Sequence, residues 1–79
     1  MSNTVTRLKQ EYREAILNDA ELHGKVAKAT NKSWNTIYRW CNDNAEQLIM
    51  LTVIRTVREY LGIDNTISLV EEITEPTQA

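Results

Sequence analysis

Residues 25–40, KVAKATNKSWNTIYRW, predict a helix, a sharp polar turn and the start of a second helix. The apolar spacing extends the first of these helices back to about 20–29. Asn31 is one of the few residues besides glycine that tolerate a left-handed backbone, so we expect it to turn the chain. Ser33 can then accept a hydrogen bond from the free amides of the next helix, which is predicted over about 34–42.

Amphipathic stripes predict two more helices, one on each side of this pair. Apolar residues recur at helical spacing in a first helix over about 5–18, behind a frayed start at 1–4. A fourth helix is predicted over about 47–61 and ends at Gly62, because glycine is favoured just past a helix C-terminus. The prediction is therefore an all-α fold, a compact bundle of four to five short helices, with a domain over 1–62.

The remaining segment, 63–79, is predicted to be a short C-terminal tail and a possible dimerisation segment. Its pattern fits two structures: Ile67 and Leu69 alternate as in a strand, whereas Leu69 and Ile73 fit a short helix with Ser68 in a capping box. We favour the helix. The fourth helix carries a wider apolar arc than a small core requires, so we expect the tail or a second subunit to cover it.

Composition restricts the class of protein. The chain has 79 residues, one cysteine and one histidine, which excludes an internal disulfide and a four-ligand zinc site within one chain. No apolar run approaches the roughly 18 residues that suggest a membrane span, and the N-terminus lacks the apolar centre of a signal peptide. We therefore expect a reduced, cytoplasmic protein with no cofactor and no membrane partner.

The central pair of helices carries a recognisable pattern. Ala27 is a small residue in the first helix, Asn31 follows four positions later, and Ile37 and Trp40 are apolar anchors in the second helix. This pattern resembles the helix-turn-helix of phage repressors of the Cro and lambda-repressor type, closely over 22–42, although Asn31 stands where the family usually has glycine. The resemblance implies a homodimer that binds double-stranded DNA and represses a phage or mobile-element promoter.

The outer face of the third helix is the predicted reading surface. With Ile37 pointing inward, Asn35, Arg39 and Asn42 fall on the opposite side, and Tyr38 falls on the flank. Arginine can bind guanine and asparagine can bind adenine in the major groove, while tyrosine can touch a phosphate or a thymine methyl. These four residues are the candidate base-reading set. The alternative is an ordinary solvated helix face, which has a similar composition.

A second set of side chains is predicted to contact DNA phosphates. His23 could donate to a phosphate, as family members do at the equivalent place, or be solvated or locally bonded. Trp34 could lie against the DNA backbone or cap the edge of the core. The full set of candidate phosphate contacts is His23, Lys25, Lys28, Lys32, Ser33 and Trp34.

The charge distribution fits an anionic chain that approaches DNA from one side. Residues 1–42 contain seven basic and four acidic residues, a net charge of +3, whereas 43–79 contain two basic and seven acidic residues, a net charge of −5. The basic half holds the predicted turn and can face phosphates, so the acidic half must face away. So small a basic excess predicts weak binding by a monomer, and two-fold symmetry would double the phosphate contacts.

Two other classes of function compete with DNA binding. An enzyme is disfavoured because the sequence shows no pair of acids in a plausible cleft, no nucleophile with a base and no glycine-rich phosphate loop. No small-molecule ligand is evident. The main rival is a helical protein-interaction module, such as an antitoxin or an anti-repressor, whose apolar arc and acidic tail bind another protein.

Overall fold

A computed structural model describes residues 3–75 of the chain. In chain order the elements are β1 (Asn3–Leu8), α1 (Gln10–Asn18), α2 (Ala20–Thr30), α3 (Trp34–Asn42), a short 3-10 helix (Glu46–Ile49), α4 (Leu51–Leu61) and β2 (Val70–Glu75). Four α-helices form most of the described structure, and β1 and β2 pair into a two-stranded antiparallel sheet. The fold is mostly helical, and the prediction of a strictly all-α fold is wrong.

The sheet joins the two ends of the described chain. Val5 pairs with Ile73, and Leu8 pairs with Val70. The predicted first helix over 5–18 is therefore wrong in its first turn, because the segment rich in Thr and Val is extended, as β-branched residues favour, and α1 begins only at Gln10. Of the residues predicted to fray, Asn3 and Thr4 belong to β1, and the first two lie outside the described residues.

The C-terminal tail forms a strand and not the favoured helix, but the strand begins after Ile67 and Leu69, the two residues whose alternation suggested it. Val70–Glu75 forms β2, and the predicted capping box is absent because the Ser68 hydroxyl bonds to the backbone N–H and carbonyl of Val70. Arg58 of α4 donates to the carbonyls of Asp64 and Ile67, at 2.5 and 3.0 Å, and so holds the preceding loop against the helix. The predicted tail beyond residue 75 lies outside the described residues.

The predicted fourth helix is two elements. Met50 has extended backbone angles and separates the 3-10 helix from α4. This break changes the phase of the apolar pattern: Val53 is fully buried, whereas Leu51 is 69% exposed. The wide apolar arc deduced from the sequence therefore combined residues of two elements that lie on different faces.

Left-handed residues cap α2 and α4 and follow the Asp43 cap of α3. Asn31 has φ 57°, Asn44 has φ 51° and Gly62 has φ 67°. Beyond each turn an amide donates back to the last turn of the helix, for example from Ile63 to the carbonyl of Arg58 at 3.0 Å, which satisfies carbonyls that the helix leaves free. The predicted ends at Asn31 and Gly62 are confirmed.

The core contains residues from β1, from every described helix and from the loop before β2. His23 is the one polar side chain among the described residues that is as deeply buried as the apolar core. None of the described helices has the length and apolar character needed to cross a bilayer. The buried apolar residues are Leu8, Ile16, Leu22, Val26, Ala27, Ile37, Cys41, Leu48, Val53, Val57 and Leu69.

Candidate nucleic-acid interface

The turn between α2 and α3 is closed by local hydrogen bonds. The amide of Lys32 donates to the carbonyl of Ala27 at 3.0 Å, and the amide of Asn31 donates to the carbonyl of Lys28 at 3.2 Å. This pair of bonds is the Schellman pattern that a left-handed residue permits. The hydroxyl of Ser33 then accepts from the amide of Thr36 at 3.2 Å and caps α3, as predicted. Both helices of the pair are therefore confirmed, with a short, well-bonded turn between them.

Helix α3 has one face in the core and one face in solvent. Ile37 is fully buried and Cys41 is 2% exposed, so the predicted inward direction is confirmed. The solvent-facing side of α3 extends over nine residues, from Trp34 to Asn42. The four side chains predicted to read bases are all exposed: Asn35, Tyr38, Arg39 and Asn42.

His23 and Trp34 join the start of α3 to α2. Their rings stack with centroids 3.8 Å apart and planes 3° from parallel, and His23 Nε2 lies 3.0 Å from the Trp34 carbonyl oxygen. His23 is only 1% exposed, so its predicted role as a phosphate donor is wrong. Its place four residues before Ala27 puts it on the same stripe of α2, but helical spacing does not show that a polar side chain has a partner on another helix.

Trp34 lies at the edge of the core. One ring face rests on His23, and a Cβ built at Gly24 would lie 3.8 Å from the Trp34 ring, an ordinary contact distance. Even so, 48% of the Trp34 residue remains exposed. The indole therefore borders the exposed face of α3, and its contact with His23 of α2 fixes its position.

The basic side chains near the turn are not equivalent. Lys28 and Lys32 are exposed beside the turn. Lys25 is also exposed, but it lines a shallow depression of about 460 Å³ together with Glu59 and Tyr60 of α4. Lys25 therefore borders α4, whereas no residue of α3 lines this depression.

Two further basic side chains of the N-terminal half bind backbone carbonyls. Arg7 donates to the carbonyl of Thr6 at 2.9 Å, and Arg13 donates to the carbonyl of Leu8 at 3.2 Å. Both guanidinium groups are thereby attached to β1 and not to the turn. Lys28, Lys32 and Arg39 remain as exposed basic side chains of the turn and of α3.

The cysteine of α3 is a buried thiol. Cys41 is buried, and burial raises the pKa of its thiol to about 11, which keeps it protonated and unreactive near neutral pH. Within residues 3–75, no group of three or more His, Cys, Asp or Glu side chains is placed to hold a metal ion. The exposed chemistry of α3 consists of hydrogen-bond donors and acceptors and one guanidinium group.

No protein-family model matches the sequence, and no curated protein or solved structure matches it at a significant level. The candidate interface is therefore defined by the geometry of this chain alone.

Proposed function

We propose that the protein is a sequence-specific double-stranded DNA-binding regulator, a repressor of the phage or mobile-element kind, that inserts α3 into the major groove. The observation that carries the proposal is the exposed row of Asn35, Tyr38, Arg39 and Asn42 on a helix whose other face is buried. The Ser33 cap and the His23–Trp34 stack hold the start of this helix. A rigid support of this kind lets short side chains reach bases at a defined register.

The proposed roles follow from the chemistry of each side chain. Arg39 can donate two hydrogen bonds to guanine, and Asn35 and Asn42 can each bind adenine through the amide group. Tyr38 can contact a thymine methyl or a phosphate. These contacts would select a sequence, whereas contacts to the backbone would set the position of the helix.

Phosphate contacts are assigned to the groups around the turn. Lys32 is exposed two residues before α3, and Lys28 is exposed in the last turn of α2. The free amides at the start of a helix also favour an anion. The Ser33 hydroxyl and the indole N–H of Trp34 are the two neutral candidates. Lys25 is a weaker candidate because it borders α4.

A homodimer is part of the proposal. The net charge of the whole chain is −2, so one copy neutralises few phosphates and should bind weakly. Two copies related by a two-fold axis would present two α3 helices to successive major grooves, about one turn of DNA apart. The proposed operator is therefore palindromic.

The test begins with selection of bound duplexes from a random pool by the purified protein. The selected duplex is then titrated with wild type, Asn35→Ala and Arg39→Ala. Each variant should lose about 1 to 3 kcal/mol of binding free energy per contact and relax selectivity at one base pair. Arg55→Ala is the matched control, because it removes the same charge from an exposed position on α4. Equal affinity of wild type and both α3 variants would contradict the proposal.

A second candidate function rests on the exposed apolar side chains of the acidic half. Leu51 is 69% exposed, Ile67 is 48% exposed and Leu61 is 41% exposed, which suits a protein-interaction module. Retention on non-specific duplex DNA at low salt separates the two functions. A protein-binding module with a net charge of −2 should pass through.

A further inference from the structure

The two-stranded sheet leaves one edge of each strand without a neighbouring strand among the described residues. The amide of Lys9 donates to the carbonyl of Leu69 at 2.9 Å, and directions alternate along an antiparallel ladder. The backbone groups of Val5 therefore point towards β2, and those of Thr4 and Thr6 point to the outer edge of β1. The side chain of Arg13, which bonds to the carbonyl of Leu8 from outside the ladder, agrees with this alternation.

Only the N-terminal part of the free β1 edge is accessible to another strand. Leu8 is fully buried and β1 packs against the 3-10 helix as well as β2, whereas Thr4 is exposed. The amides and carbonyls of Thr4 and Thr6 are therefore the groups that a further strand can reach. The Thr6 carbonyl already accepts from Arg7, and its second lone pair can accept from a partner strand.

The two outer edges differ in charge. β2, with the sequence VEEITE, carries three glutamates in six residues, whereas β1, with the sequence NTVTRL, carries one arginine and no acid. Pairing β2 with itself around Ile73 would set Glu71 opposite a glutamate of the other copy, which is unfavourable. Charged side chains are a common means of protecting an edge strand. The β2 edge is therefore protected and the β1 edge is not.

We propose that a second copy of this chain pairs with the free edge of β1, antiparallel and around a two-fold axis at Val5. In this register Thr4 lies opposite the partner's Thr6, and the outward amides and carbonyls of these residues form four hydrogen bonds. Because Val5 pairs with Ile73 within each copy, one face of the four-stranded sheet carries a continuous row of four apolar side chains. A two-stranded ribbon is marginal alone, and four strands with an apolar face are more stable.

A second arrangement would pair the β1 edge of one copy with the β2 edge of another. The symmetric β1–β1 contact is favoured because it forms a closed dimer. That alternative would bring Arg7 near glutamates, yet it leaves a free edge at each end and would continue into larger assemblies. The β1–β1 contact uses both open edges and leaves only the glutamate-rich edges outside. The inference stands on the strand edges and not on DNA binding, although it supplies the second copy of α3 that the proposed function requires.

The first test is disulfide cross-linking without DNA. Val5→Cys in a Cys41→Ala background should form a covalent dimer on mild oxidation, because directly opposite residues at such a position have Cα atoms about 4.5 Å apart, within the range that a disulfide spans. Ile73→Cys in the same background is the matched control, since it lies on the same face but on the outer strand. Preferential cross-linking of the Ile73→Cys variant would overturn the proposal.

The second test removes one outward amide from each edge. Thr6 and Glu72 are paired across the ladder, and the amide of each points away from the other strand, so proline is compatible with the ladder at both positions. Thr6→Pro should raise the dimer dissociation constant about tenfold or more, because each dimer loses two hydrogen bonds. Glu72→Pro should leave it unchanged. Circular dichroism and melting show whether each variant is folded.

Sedimentation velocity at high micromolar concentration gives the assembly of each protein. A wild type that sediments only as a 9.1 kDa species, a dimer that dissociates with Glu72→Pro and not with Thr6→Pro, or assemblies larger than a dimer would each overturn the proposal. These measurements contain no DNA. Loss of the dimer and loss of base reading by Asn35 and Arg39 are therefore detected separately.

Discussion

The imidazole of His23 and the indole of Trp34 are stacked 3.8 Å apart, and His23 Nε2 lies 3.0 Å from the Trp34 carbonyl oxygen. A single side chain of α2 thus contacts both the ring and the backbone of the first residue of α3. Since this residue begins the exposed face that carries Asn35 and Arg39, the contact positions the candidate reading surface.

Replacing His23 should destabilise the protein more than a surface substitution. His23→Ala removes the ring stack and the hydrogen bond and leaves a cavity, so we expect the free energy of unfolding to fall by about 2 to 4 kcal/mol. Ala29→Ser, at an exposed position of the same helix, should change it by about 0.5 kcal/mol or less. Urea denaturation of both variants measures the difference, and a His23→Ala midpoint equal to that of wild type would refute the assignment.

Enlarging Ala27 should disturb the packing between α2 and α3. Ala27 is 8% exposed and belongs to the core, so Ala27→Leu overpacks this site at a cost of about 1 to 3 kcal/mol. Ala29→Leu provides the same change of side chain at an exposed position of α2. Thermal melting compares the two. If both variants melt at the temperature of wild type, Ala27 has room that the structure does not show.

The left-handed backbone at Asn31 should make glycine better tolerated than alanine at this position. With φ 57°, Asn31→Ala should cost about 1 to 2 kcal/mol, because a Cβ without a compensating polar group is unfavourable in this conformation. Asn31→Gly should be tolerated, because glycine adopts positive φ without strain. Chemical denaturation of the pair checks the order of stability. Greater damage from glycine than from alanine would be incompatible with the observed turn.

The hydrogen bond between Tyr60 and Asp19 predicts how stability depends on pH. The Tyr60 hydroxyl donates to Asp19 Oδ2 at 2.8 Å; this bond is the main cause that lowers the pKa of Asp19 and raises the pKa of Tyr60 to about 12. The Asp19 contribution is lost as pH falls below 3.8 through the lowered pKa. The Tyr60 contribution is lost as pH rises from 10.0 to about 12.

Tyr60→Phe should therefore flatten the dependence of melting temperature on pH at both ends. Tyr38→Phe is the matched control, because it removes a phenol from an exposed position. The two variants are melted in parallel across the acid and alkaline ranges. Equal pH profiles for wild type and Tyr60→Phe would show that the hydrogen bond does not form in solution.

The lysines beside the turn should act differently from the residues on the outer face of α3. Lys28→Ala and Lys32→Ala should weaken binding to all DNA sequences alike, and each should reduce the slope of log affinity against log salt by about one unit per phosphate that a subunit no longer neutralises. Titration of labelled duplex at two salt concentrations measures both effects. Arg55→Ala is the control for the loss of one positive charge. An equal reduction of the slope by Arg55→Ala would show that the effect comes from the net charge of the protein and not from a direct contact with a phosphate.

The sequence by itself determined the α2–turn–α3 region. Its signals are local: Asn31 permits the left-handed turn, Ser33 caps the next helix within three residues, and the spacing around Ile37 separates a buried from an exposed face. Each signal depends on neighbours within one or two helical turns, so it can be deduced without knowing the rest of the fold. The exposure of the four candidate reading residues was predicted for this reason.

Only the tertiary structure decided the sheet, the burial of His23 and the division of the predicted fourth helix at Met50. β1 and β2 come from opposite ends of the described chain, and each strand is extended because its backbone groups are satisfied by the other. His23 is polar, and only a partner on α3 makes its burial favourable. Such choices depend on residues distant in sequence, and apolar spacing within one segment does not report them.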